Sequence, residues 1–247
     1  MRVLRRANKL RGYHLRALDG DIGKIKECYF DDTNWAVRYF VVDTGNWLLG
    51  RRVLIAPVAL NGVDETEKVV HTNLNREQVE NSPPVETEKP VSRQYEEEYY
   101  QHYGWMPYWD SGPFLGSGLP PAPVIPTTSD EEIEKKNKEE THLRSTSEVI
   151  GYSIEATDGD LGHVADFIIE DQEWTVQYLE VDTRNWWPGK KVLISSAWIN
   201  QISWLDRKVV VDLSREKIQS APPYDPWKVI SKDYELQLYE YYGQRKK

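Results

Sequence analysis

The feature that most constrains this chain is that it is written twice. Gly12-Tyr13 returns as Gly151-Tyr152, and Asp19-Gly20-Asp21-Ile22-Gly23 as Asp158-Gly159-Asp160-Leu161-Gly162. Val42-Asp43-Thr44 with Asn46-Trp47 returns as Val181-Asp182-Thr183 with Asn185-Trp186, and Val53-Leu54-Ile55 as Val192-Leu193-Ile194. The separation is constant, from residue 12 to 151 and from 47 to 186, and it persists at Pro83-Pro84 against Pro222-Pro223 and at Tyr95 against Tyr234. A period of this length is a duplicated domain, not a solenoid repeat. Chemistry shared by both copies must therefore rest on residues present in both.

The repeat divides the 247 residues into a first barrel (1–84), a Tyr/Glu-rich helix (85–104), a proline-rich and charged linker (105–143), a second barrel (144–223) and a Tyr-rich C-terminal helix (224–247). Blocks of about 80 residues lie near the lower size for one hydrophobic core. The 10 Trp and 15 Tyr offset that, since each aromatic buries a large area. Inside each barrel the reading is six short antiparallel strands. In the first copy they are 10–18, 23–31, 35–42, 52–57, 60–65 and 68–72, separated by turn signals such as Asp19-Gly20. Asn75 and Ser214 precede charged turns as N-caps of a short helix. The expected fold is thus mainly β: two tandem six-stranded, partly open antiparallel barrels, each followed by a short helix and a Tyr-rich helix.

In those longer helices Tyr95, Tyr99 and Tyr103 recur every four residues, matched by Tyr234, Leu238 and Tyr242. Such a stripe is a packing face, against the barrel or against a partner. Ser92 and Ser231 stand at the N-cap positions, and Gly104 and Gly243 at the C-cap positions. Trp47, Trp186 and Trp187 lie in Gly/Pro-bounded loops. There they either cap the open end of their own barrel, the preferred reading, or anchor a partner.

The residues needed for catalysis do not repeat. His14, His71, His102, His142 and His163 face Ser153, Val210, Tyr241, Val3 and Lys24 in the other copy, and the single cysteine, Cys28, faces Phe167. One cysteine excludes an internal disulfide and a cysteine zinc site. Asp19-Gly20-Asp21 lacks the further oxygen ligands of a calcium loop and reads as turn chemistry. Asp43 and Asp182 at strand ends read as loop-capping carboxylates. No catalytic, cofactor or metal residue is assigned. A net charge of −9 argues against nucleic acid as a partner. The first 16 residues hold six basic side chains and no acidic one, a candidate for weak contact with an anionic membrane surface. With no 18-residue apolar span, the expected location is cytoplasmic, or peripheral at a membrane.

The order Asp-Gly-Asp-x-Gly, Trp-x-Val-x-Tyr, Val-Asp-Thr-x-Asn-Trp, Gly-basic-basic-Val-Leu-Ile resembles the PRC-barrel family in both copies. The resemblance implies a six-stranded, partly open barrel, as in the cytoplasmic domain of the photosynthetic reaction-centre H subunit and the C-terminal half of a ribosome-maturation factor. It implies protein docking and no settled biochemical activity. The expected function is a non-enzymatic assembly module with a protein partner, or a homodimer through the tyrosine helices. Two alternatives stand beside it: an accessory of a membrane photosynthetic or respiratory complex, and a ligand-binding barrel or enzyme with a site between the repeats.

Overall fold

The computed structural model describes residues 2–85, 91, 93–109, 143–183 and 190–243. Among these residues fourteen strands form two sheets of seven. In the first repeat β1 (Leu4–Arg6) leads into a helical turn, α1 (Ala7–Leu10). It is followed by β2 (His14–Ala17), β3 (Gly20–Asp31), β4 (Val37–Asp43), β5 (Arg52–Ile55), β6 (Leu60–Asp64) and β7 (Val69–Thr72). Helices α2 (Arg76–Glu80) and α3 (Arg93–Tyr103) complete it. The second repeat follows the same order: β8 (Leu143–Ser145), α4 (Thr146–Val149), β9 (Ser153–Ala156), β10 (Gly159–Glu170), β11 (Thr175–Asp182), β12 (Lys191–Ser195), β13 (Ile199–Ser203), β14 (Lys208–Val211), α5 (Arg215–Gln219) and α6 (Lys232–Tyr242).

The fold is mainly β, as the strand spacing implies, with three differences. First, each sheet contains one parallel pair, β2 with β7 and β9 with β14. The cause is the corner after β5: a 3-10 turn at Pro57–Ala59 carries the chain onward without reversing it, so β7 returns beside β2 in the same direction. Second, the segment 10–18 is not one strand, because Gly12 with φ 89 breaks it between α1 and β2. Third, each sheet takes a seventh strand from the other repeat. Strand β1 pairs with β10, Leu4 opposite Glu170, and β8 pairs with β3, Leu143 opposite Asp31.

Two glycines fix the strand-end geometry that both copies share. A Cβ on Gly23 would lie 2.1 Å from the backbone oxygen of Asp43, and one on Gly162 would lie 2.2 Å from that of Asp182. No other residue fits where β3 and β10 cross so closely over the neighbouring strand.

The caps form as the sequence implies. Asn75 and Gln78 make a reciprocal capping box on α2, Ser214 caps α5, and Ser231 accepts from the Tyr234 amide on α6. Asp19 and Asp158, in the hairpin turns, accept from the Arg76 and Arg215 amides and so tie each turn to its short helix.

Each barrel has a filled interior, Phe40, Val42, Val53 and Ile55 in the first and Leu179, Val181, Val192 and Ile194 in the second, all buried. The outer face of β4 and β5 carries a second layer. Tyr39, Val41, Leu54 and Ala56 are sealed there by Tyr99 and Tyr100 of α3.

Candidate interaction surfaces

The junction between the repeats has pseudo-two-fold symmetry down to individual atoms. Ala36 and Thr175, equivalent residues, form an isolated antiparallel bridge. The Val37 amide donates to Trp174 O at 2.7 Å, and the equivalent Val176 amide donates to Trp35 O at 2.8 Å. Trp35 and Trp174 both adopt a left-handed backbone, with φ 63 and 52, a conformation that costs free energy for a bulky residue and survives only where the surroundings dictate it. Phe40 meets Trp174 edge-on at 4.9 Å, and Phe30 packs on Phe167 at 5.1 Å.

The exchanged strands are held by arginines in equivalent positions. Arg5 Nε lies 2.8 Å from Asp171, and Arg144 Nε lies 2.8 Å from Asp32. Each also touches its own repeat: Arg5 pairs with Glu65, and Arg144 lies 4.2 Å over the ring of Trp204 at the equivalent position. Beside them the symmetry breaks. Arg6 bridges Asp166 at 2.9 Å and Glu180 at 3.0 Å, and Glu180 also pairs with Lys191. The counterpart contact is neutral on one side, with Ser145 donating to Glu27. Burial pushes the Asp166 carboxyl up to about 6, an effect that its backbone donors and Arg6 reduce.

These contacts account for most of the basic N-terminus. Arg2 binds Glu235, Arg5 and Arg6 bind the second repeat, and Lys9 binds Glu65. Much of the charge that the sequence offers to an anionic surface is therefore paired within the chain.

The tyrosine stripes face the chain's own barrels. Tyr99 and Leu238 are fully buried, and Tyr242 nearly so. Tyr95 and Tyr234 donate to the Pro83 and Pro222 carbonyls. The Tyr99 hydroxyl accepts from the Ala56 amide at 2.9 Å and donates to Leu54 O at 3.1 Å, covering the outer edge of β5. Tyr103 stacks on Trp105 at 4.5 Å. Its hydroxyl is raised to about 12 by burial, offset in part by Ser82. The homodimer expected through these helices would have to do without this face.

A feature not visible as a motif locks the helices down. Tyr39 donates to Glu96 at 2.9 Å, and the equivalent Tyr178 donates to Glu235 at 2.9 Å, all four side chains being buried. The signal was available in the sequence: Glu96 and Glu235 lie in register beside the tyrosine stripe, on a side of the helix that otherwise reads as solvent-facing.

The Trp loops differ in what is described. Trp186 and Trp187 lie outside the described residues, as do Ser92 and the linker from residue 110 to 142. Trp47 is half-buried, packed on the core, with the Arg76 guanidinium 4.3 Å over its ring. Arg76 also runs past Gly20. The hairpin turn, the Trp47 loop and the start of α2 therefore form one end of the first barrel. Leu18 in that turn is 73% exposed, and Leu49 in that loop is 97% exposed with φ 53.

Asp43 caps its loop through the Gly45 amide, and that bond together with Lys26 lowers its carboxyl. Asp182 is buried at the matching strand end. A shallow depression nearby is lined by His14, Asp21, Lys24, Lys26 and Asp43. Among the described residues no group of three or more His, Cys, Asp or Glu is placed to hold a metal ion. Cys28 is buried, and burial holds its thiol far above the usual value. No helix among the described residues is long and apolar enough to cross a membrane.

Residues 143–218 match the family model of the PRC-barrel domain. The second repeat is a PRC-barrel domain. The first repeat has the same strand order and pairing. No curated protein matches it by sequence. A PRC-barrel domain points in general to an interaction or assembly module.

Proposed function

We propose that this tandem PRC-barrel protein is a non-enzymatic assembly module whose partner-binding end is the Trp47 end of the first barrel. The reading rests on one observation: Leu18 and Leu49 are exposed beside half-buried Trp47, on turns fixed in place by Asp19, Arg76 and α2. A leucine held fully exposed in a left-handed conformation gives nothing to folding and supplies a preformed apolar contact. A tryptophan with an arginine over its ring is the composition of interface centres, and the two exposed leucines extend its apolar contact.

The partner is a different protein. The self-complementary faces of the chain, the repeat junction and the tyrosine stripes, are occupied within the chain. Affinity purification from native cells with the unmodified chain and with Leu18→Ser plus Leu49→Ser tests the reading. Both sites are exposed, so the variant keeps its fold. Loss of a partner that the unmodified chain retains supports the assignment; an unchanged partner set removes this end from consideration.

A further inference from the structure

We infer that the repeat junction is a specific heterodimer interface, and that the two halves recognise each other without the connection between them. The junction is built as an isologous contact, in which a residue and its equivalent exchange roles across an axis. The Ala36–Thr175 bridge, the two Val-to-Trp backbone bonds and the Arg5–Asp171 and Arg144–Asp32 pairs all obey it. Such a surface would by itself allow each half to pair with a second copy of itself.

The asymmetric contacts work against that. If the second half paired with itself, Ser145 would stand where Arg6 stands, facing Asp166 and Glu180. Both carboxylates have no exposed surface, and among the described residues Lys191, which pairs with Glu180, is the cation that would remain beside them. If the first half paired with itself, Arg6 would face Glu27 and, in place of Glu180, the buried apolar Val41. A buried charge deprived of its partner is strongly destabilising, so pairing of the second half with itself is disfavoured; pairing of the first half with itself leaves each Arg6 one carboxylate, Glu27, in place of two, and the mixed pair is preferred. Discrimination by unpaired charge against the wrong partner is a general route to specificity. The linker then acts by raising local concentration and adds no recognition of its own.

The test uses the purified full-length chain with a site-specific protease sequence inserted between Gly118 and Leu119. After complete cutting, native mass spectrometry at micromolar concentration should find one species near the intact 28.9 kDa, containing one of each fragment. Separation of the fragments, or a mixture of like and unlike pairs, would overturn the inference. Arg6→Ser in the cut chain should weaken association at least tenfold. Adding Asp166→Asn and Glu180→Gln should recover most of that loss, whereas a role for Arg6 in packing alone would leave it unrecovered. Association unchanged by Arg6→Ser would also overturn the assignment.

Discussion

Replacing Tyr39 with phenylalanine isolates the bond that fastens the tyrosine helix to its barrel. The ring of Tyr39 is fully buried and meets Tyr99 edge-on at 5.3 Å, and phenylalanine keeps that contact and nearly the whole volume. What is lost is the 2.9 Å bond from the hydroxyl to Glu96. The Tyr39 hydroxyl is held protonated far beyond its ordinary range, by burial first and then by the Glu96 charge, so it donates at every working pH. Glu96 is itself buried and also receives the Tyr108 hydroxyl at 2.9 Å. A net hydrogen bond contributes about 1 kcal/mol, and a buried acceptor left short of a donor costs more. Tyr39→Phe should therefore lower unfolding free energy by about 1–2 kcal/mol. Urea denaturation followed by tryptophan fluorescence measures this. A double-mutant cycle with Glu96→Gln should return a coupling of about 1 kcal/mol. A loss below about 0.3 kcal/mol with no coupling would refute the reasoning and leave the helix held by ring packing alone.

Three further outcomes follow from the comparison of the copies. The Tyr242 hydroxyl is buried with no hydrogen-bond partner among the described residues, and so is the equivalent Tyr103 hydroxyl, beside which Ser82 stands in place of Ala221; Ala221→Ser should bring a hydroxyl towards Tyr242 and raise stability by up to about 1 kcal/mol, read by urea midpoint. Asp166, raised by burial to about 6 from an unfolded value near 3.9, holds its proton more tightly folded than unfolded. Its contribution is therefore present at pH 4 and is lost as pH rises through 6, by up to about 3 kcal/mol; stability profiles of Asp166→Asn should show this decline removed. Gly23→Ala should cost more than about 3 kcal/mol, because its Cβ would strike the Asp43 carbonyl and only a backbone shift relieves it; thermal denaturation checks this.

Much of the barrel was legible because it is local. Turn glycines, N-caps and alternating strands declare themselves within a few residues, and the duplication confirmed each element twice. What was not legible is what joins distant segments. Nothing near Leu4–Arg6 says that this strand pairs with β10 instead of its own sheet, since the hydrophobic pattern of a three-residue strand is satisfied by either neighbour. The parallel pair was hidden for a related reason: the direction of β7 depends on a corner at Pro57 that resembles any turn. Arg5 with Arg144, and Asp32 with Asp171, are identical between the copies. Charged residues kept at equivalent positions were the available trace of the junction, but they read as solvated surface until their partners across the axis are known. Trp47 was legible as a loop aromatic, yet the exposed apolar residues beside it are Leu18 and Leu49, which no motif distinguishes.

The exchange of β1 and β8 between repeats is the claim on which the rest depends, and a pair of cysteine variants tests it directly. In the exchanged arrangement Leu4 lies opposite Glu170. In two self-contained barrels it would lie opposite the equivalent residue of its own repeat, Asp31, which here pairs with Leu143. A disulfide needs Cα atoms within about 7 Å. The account predicts that Leu4→Cys with Glu170→Cys forms a disulfide on mild oxidation, identified by non-reducing peptide mapping, and that Leu4→Cys with Asp31→Cys does not. The reverse result would contradict it.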